Sequence, residues 1–338
     1  MPCLLLKDGA CAMTHKIFGS ELSPYSIKVR SYFRYKGIPH EWTPRTPDNI
    51  EEFQRFAKLP LVPLVVTPEE TGLQDSTPII DAMETQFPEL SIHPEEPVSR
   101  FISVLLEEFG DEWGNKWMFH QRWARQADQL SAAGRIVGDL PDEAEKQKMI
   151  ESILDRMVNR VWFVGSNEET APIIEASFRD GLRILDAYLA ERPYLFGNRP
   201  SYADFGLWGQ ICNAWTDPTG ASMINNTNLN VLDWIQRMYW PTNEGDFEPW
   251  SNLAPGLTPL LTNLVGDMFL PWSVANSQAL ANGDEEFNVD LAGQAWHQKP
   301  QKYHARSLAV LQSRYQEVAG DTALKEILEE CHCLAYLQ

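Results

Sequence analysis

The feature that most constrains this chain of 338 residues is a change of hydrophobic period near residue 98. Upstream, apolar runs of strand length alternate with short helical stretches. Downstream, the 3.6-residue period of amphipathic helices takes over and persists. Such a chain needs two units, one small and mixed, one larger and helical. Phe87-Pro88 and the polar, proline-containing His93-Pro-Glu-Glu-Pro97 mark the joint. The units are therefore expected at residues 14–92 and 98–338, after an extension at 1–13. In the helical unit, Phe178, Leu182, Leu185 and Leu189 recur at spacings of four, three and four. Ser201-Tyr-Ala-Asp204 opens another helix as a capping-box variant. No comparable strand pattern follows residue 98. Residues 240–300, rich in Pro, Gly, Asn and Trp, read as irregular structure and short helices, followed by one good helix from about His304 to Val318.

The first unit can be read element by element. Lys16 to Gly19 is a buried-strand run, and Ser23-Pro24 starts a helix with Ser as N-cap and Pro at the first helical position. Ile27, Val29, Tyr32 and Phe33 give that helix its apolar face before Gly37 ends it. A strand at His40 to Thr43, a helix at Asn49 to Lys58 and the β-branched run Leu61 to Val66 follow. Leu73-Gln74 then leads into a helix beginning near Ser76. The order β-α-β-α-β-β-α is that of a thioredoxin-like domain, so the fold class is α+β with two domains, the second all-α.

Composition removes several functions. Lys+Arg 28 against Asp+Glu 47 gives a net charge of −19, which disfavours nucleic acid or an anionic membrane as partner. The longest apolar stretch, Leu257 to Ala275, is broken by Pro259, Asn263, Asp267 and Pro271, so no membrane span is expected. Five cysteines at irregular spacing fit reduced thiols better than a disulfide framework. Cys331-His-Cys333 lacks further ligands at metal spacing, so no metal is expected. The opening MPCLLLKDGACAM is too weakly apolar for a signal peptide, Met13 is an alternative start to Met1, and a cytoplasmic location is expected.

Three short motifs carry chemistry. Ser23-Pro-Tyr-Ser26 occupies a strand-to-helix turn, Leu61-Val62-Pro63 precedes a strand, and Gln74-Asp75-Ser76 opens the last helix of the first unit. In this order and spacing, with a helical unit behind them, they resemble the glutathione transferase family. Ser-x-x-Ser-x-Lys-Val-Arg at 23–30 is most similar to its serine-type, zeta-like and bacterial branch. The resemblance covers residues 15 to about 215, and the last 120 residues exceed an ordinary member.

The resemblance implies a homodimer in which Ser23 holds the glutathione thiolate, with Tyr25 and Ser26 as alternatives. It implies that Val62, before a cis Pro63, pairs with the cysteinyl amide, and that Ser76 and Asp75 grip the γ-glutamyl carboxylate and amine. Many members carry Lys two residues before the proline. Leu61 stands there, and Lys58 is the candidate for the glycyl carboxylate. The implied activity is conjugation or substitution on a small apolar or aromatic electrophile, with detoxification as the usual role. A glutathione-dependent isomerase, a β-ether-cleaving enzyme and a non-catalytic binding module of the same fold are the alternatives. Cysteine-type thiol reductase chemistry is disfavoured, because a serine cannot form a mixed disulfide.

The physical basis holds independently of the family. A thiol of pKa about 8.5 is mostly protonated at neutral pH, and a hydroxyl donor at a helix N-terminus favours the anion. Lowering that pKa by two units takes about 2.7 kcal/mol, within reach of a charge-assisted hydrogen bond plus the helix dipole. For the second substrate, the run Glu107 to Trp123 offers an aromatic wall, with Trp117 and His120 as lining candidates and helix core as the competing role. Trp296, His297 and His304 read as surface residues without a legible carboxylate partner. Residues 240–338 are expected to roof the pocket or thicken the dimer. Glutathione is itself an anion, and residues 14–58 hold eight Lys/Arg against five Asp/Glu, so the acidity lies elsewhere.

Overall fold

The computed structural model describes residues 14–338; the extension 1–13, with Cys3, Cys11 and Met13, lies outside the described residues. In the first unit β1 (His15–Gly19) leads into α1 (Pro24–Tyr35), β2 (His40–Pro44), α2 (Ile50–Phe56), β3 (Leu64–Val66), β4 (Gly72–Gln74) and α3 (Ser76–Gln86). The sheet order is β2-β1-β3-β4, with β1 and β2 parallel and the other pairs antiparallel. This is the βαβαββα order read from the sequence.

Register decides where chemistry can gather. Phe18 pairs with Leu64, and Leu64 pairs with Gln74. The residues that follow β1, precede β3 and follow β4 therefore emerge at one edge of the sheet. Those residues carry Ser23, Val62-Pro63 and Asp75-Ser76.

The helical unit begins with α4 (Pro97–Phe109), which runs through π-helical turns at Gly110–Gly114 into α5 (Asn115–Ala124). Then follow α6 (Gln126–Val137), α7 (Glu143–Val158), α8 (Ala171–Leu189), α9 (Tyr202–Trp215), α10 (Pro218–Thr227) and α11 (Leu229–Arg237). Helix α9 is almost wholly buried and packs on both α1 and α4. A Cβ on Gly110 would lie 2.7 Å from the α9 backbone, so glycine lets the two helices cross at that distance.

Residues 240–338 are more regular than expected. Helix α12 (Trp250–Leu260) continues through π-helical turns at Leu261–Phe269 into α13 (Leu270–Asn282), despite Pro255, Pro259 and Pro271. Leu253, Leu257, Leu260, Leu261 and Leu264 are buried along it, and this packing overrides the missing proline donors. A hairpin follows, β5 (Phe287–Leu291) and β6 (Gln294–Gln298), where no strand was predicted. Its turn, Ala292-Gly293, has positive φ at both positions, with the Gly293 N–H donating to Asp290. The chain ends in α14 (Lys302–Val318), α15 (Thr322–Glu330) and α16 (Leu334–Leu337). Trp296 and His304 are buried rather than on the surface, because the hairpin packs on α13 with Trp296 against Trp113, and α14 packs on α4 and α13. Among the described residues, no helix is long and apolar enough to cross a membrane, and no cluster of His, Cys, Asp and Glu could hold a metal.

Candidate functional site

Ser23 caps α1 in an extended conformation, and its Oγ accepts from the Ser26 N–H at 3.3 Å. Accepting there leaves the Ser23 hydroxyl hydrogen available to donate outward. Its two neighbours are differently engaged. The Tyr25 phenol donates to the Asp111 carbonyl at 3.0 Å, and burial with Asp111 and Glu112 nearby pushes its pKa well above the ordinary value. Ser26 is fully buried, and its hydroxyl has no hydrogen-bond partner among the described residues. Of the three hydroxyls, Ser23 combines partial exposure with a free proton.

Val62-Pro63 is a cis peptide immediately before β3. Gln74 ties the loop in front of it: its Oε1 accepts from the N–H groups of Lys58 and Leu59 at 3.0 Å, and its Nε2 donates to the carbonyls of Leu59 and Leu61 at 2.7 Å. The Lys58 side chain is on the exposed part of that loop. Asp75 stands before α3 with φ 79° and makes no cap hydrogen bond with its side chain. A side chain in that region costs on the order of 1–3 kcal/mol, strain of the kind held at binding sites. Ser76 is buried, its Oγ 3.5 Å from Asp111 Oδ2.

Behind these residues lies a charged network. From α1, the buried Lys28 ammonium reaches Glu107 at 2.5 Å and Asp111 at 2.6 Å, and Thr77 donates to Glu107 at 2.8 Å. Burial opposes the charge on Lys28, but Asp111 and Glu107 outweigh it and hold its pKa above the ordinary value. Burial pushes the Asp111 carboxyl up to about 8, against the pull of Lys28. Glu112 is likewise pushed up to about 8 by burial, and Glu108 well above its ordinary value. The sequence shows acids at 107, 108, 111 and 112, a like-charge i, i+4 pattern that a buried helix tolerates only with such neutralisation.

The sequence points to residues 240–338 as a roof or a dimer contact, but it marks no residue of α14 for this site. Its Tyr303 phenol donates to Asp75 Oδ2 at 3.0 Å, His304 bonds Glu112, Ser307 bonds Glu108, and Arg314 pairs with Asp81 at 2.5 Å. Burial, with Lys116 nearby, drops the His304 pKa to about 3, so the ring is neutral against Glu112. The extension thus reaches the first unit at Asp75 and Asp81. No local motif marks Tyr303, because the contact spans 228 residues.

Trp117 and His120 lie elsewhere. Trp117 is buried, donates to Ser177 at 2.8 Å and packs on Phe109 and Phe178. His120 is buried between Ser166 and Glu175. An open cavity of about 520 Å³ lies instead beside residues 19–22, the segment leading into Ser23. Leu22, Ile27, Arg45, Arg135, Ile136 and Tyr239 are among its walls. The adjoining Arg122 braces its floor: the guanidinium donates to the Leu22 carbonyl, to Asn213 and to Asp217.

Comparison with known proteins follows the same outline. The model of the glutathione S-transferase N-terminal domain matches residues 17–91, and that of the C-terminal domain matches residues 152–237. The isoprene-epoxide–glutathione S-transferase of Rhodococcus sp. (strain AD45) is 20% identical over 226 residues, 64% of this chain and 92% of that protein. Among solved structures, a glutathione S-transferase of Methylobacterium radiotolerans in complex with glutathione sulfonate is 18% identical, with a TM-score of 0.43, over 70% of this chain and 96% of its own. The beta-etherase LigF of Sphingobium sp. strain SYK-6 is also 18% identical, with a TM-score of 0.42, over 67% and 94%. A thioredoxin-like sheet carrying the matched N-terminal model, joined to a helical unit carrying the matched C-terminal one, places the chain in the glutathione transferase family.

Proposed function

We propose that this chain binds glutathione along the edge that gathers Ser23, Val62-Pro63 and Asp75-Ser76, and that Ser23 donates to the cysteinyl sulfur and stabilises the thiolate. The observation that carries this reading is Ser23 itself, a helix-capping hydroxyl whose proton has no acceptor among the described residues. The thiolate then attacks the carbon of a small electrophile. A carbon–sulfur bond forms, the bond to the leaving group breaks, and its electron pair departs with that group. The protein's share is positioning and charge stabilisation. The γ-glutamyl amine fits the Asp75 carboxylate, and its carboxylate fits the N-terminal end of α3 at Ser76. Tyr25 and Ser26, committed to a carbonyl and to the interior, would shape this turn rather than touch sulfur. Lys58, on the exposed loop, would serve the glycyl carboxylate. The homodimer that the resemblance implies and the cytoplasmic location that the cysteines and the opening segment suggest belong to the same reading.

The relative named isoprene-epoxide–glutathione S-transferase makes the opening of an epoxide one reaction to try with a thiolate at this site. The experiment is a thermal unfolding scan with glutathione. Ligand at ten times its Kd stabilises by about 1.4 kcal/mol, a measurable rise in Tm. No shift at about 10 mM glutathione would remove the glutathione reading and favour a non-catalytic module.

A further inference from the structure

The cavity beside residues 19–22 has a charge that the rest of the chain does not predict. Two guanidiniums, Arg45 and Arg135, line it, and two more stand behind the wall. Glu21, the one carboxylate in the lining, is held by Arg30 through both oxygens. Arg122 and Arg135 share a single carboxylate, that of the buried Asp217. Arg122 is already satisfied by Asn213 and the Leu22 carbonyl as well. Arg45 rests over the Phe53 ring and donates to the Pro60 carbonyl at 2.7 Å, and among the described residues no carboxylate pairs with it. Four guanidiniums thus face two carboxylates in a chain whose net charge is −19. Counting Asp128, which lies near Asp217 and accepts two hydrogen bonds from Thr219, the balance stays positive.

The remaining walls are of another kind. Leu22, Ile27, Pro44, Ile136 and the Tyr239 ring offer apolar surface. Cys212 is also part of the lining, but it hydrogen-bonds to Tyr239 at 3.1 Å, and burial pushes its thiol up to about 12, so it is not a competing nucleophile. An apolar body and one or two oxygens of negative charge complement such a space. A guanidinium fork matches a carboxylate or another oxyanion in shape as well as charge. A neutral hydrocarbon would leave both guanidiniums in competition with water and gain nothing from them.

We propose that this cavity seats the second substrate of the reaction, and that Arg135 and Arg45 select an electrophile with an apolar body and an oxyanionic group. The proposal rests on the glutathione reading for the reaction itself, but not for the binding of the anion. The lining ends at Leu22, one residue before the helix cap Ser23, so the wall and the hydroxyl assigned to the sulfur belong to one continuous turn.

Calorimetric titration with two unreactive probes tests it: 3,5-dinitrobenzoate and 1,3-dinitrobenzene, one ring with and without the carboxylate. The wild type is expected to bind the benzoate about tenfold tighter, the effect of one charge-assisted hydrogen bond. Arg135→Gln should bring that ratio below about twofold. Arg45→Gln, at an exposed position, is the second variant and should lower the ratio as well, and unfolding scans check that each variant is folded. Equal affinity of the wild type for both probes would overturn the proposal, as would a preference that survives both substitutions. Glutathione has a carboxylate of its own, so it is titrated separately. If Arg45→Gln weakens glutathione and leaves the benzoate unchanged, Arg45 belongs to the tripeptide and its part in the proposal falls. Failure of glutathione to bind, with the benzoate preference intact, would overturn the glutathione reading alone.

Discussion

The two sides of the segment that leads into Ser23 differ in sign and in how their charge is handled. Toward α4 lie the buried Glu107, Asp111 and Glu112 and the half-buried Glu108, offset by Lys28 at Glu107 and Asp111 and by raised pKa values at Glu108, Asp111 and Glu112. Toward α6 lie Arg45 and Arg135, open to a cavity and only partly offset. A thiolate formed between them would be destabilised by unpaired acids on the first side. The buried network removes most of that charge, so under the proposed function the Ser23 hydroxyl and the helix terminus would set the sulfur's pKa. Under the proposed function, neutralisation inside and positive charge outside would both serve an anionic reaction.

The comparison breaks most severely at Lys28. Lys28→Met strands two buried carboxyls and should cost about 3–5 kcal/mol in denaturant unfolding at pH 8. The sign with pH is fixed by the acids. The folded pKa of Asp111 would stay raised, so the folded state holds a proton that the unfolded chain releases above about pH 4. The penalty should therefore shrink as the pH is lowered from 8 toward 5. A loss that does not change over that range would mean that Asp111 is not kept neutral by burial. A smaller effect is expected at the edge of the network. Tyr303→Phe removes the hydrogen bond that orients Asp75, and should weaken glutathione binding about threefold to fivefold, near 1 kcal/mol, in a fluorescence titration. Unchanged affinity would limit α14 to packing.

The same contrast separates what the sequence reveals from what it hides. Ser23, Val62-Pro63 and Asp75-Ser76 are legible because each sits at a local turn, and the spacing of strands places the turns together. Lys28 and the acids are visible as residue types, but their pairing spans 79 and 83 residues and leaves no periodic trace. The cavity is harder still, drawing Arg45, Arg135 and Tyr239 from three distant segments. Aromatic spacing drew attention to Trp117 and His120, and the structure gives both a core environment with satisfied polar atoms. In the extension, Pro255 and Pro259 masked a helix, and the hairpin turn Ala292-Gly293 lacks the Asn or Asp that usually announces it. Apolar burial decided both, and burial depends on partners far away in sequence.

The role assigned to Ser23 comes down to one proton. Titrating the protein with bound glutathione and following thiolate absorbance near 240 nm gives the pKa of the bound sulfur directly. A value about two units below the free thiol's 8.5 is expected for the wild type, returning most of the way in Ser23→Ala. A bound thiol that titrates as it does in water, or a depressed value that Ser23→Ala leaves unchanged, would contradict the role assigned to Ser23.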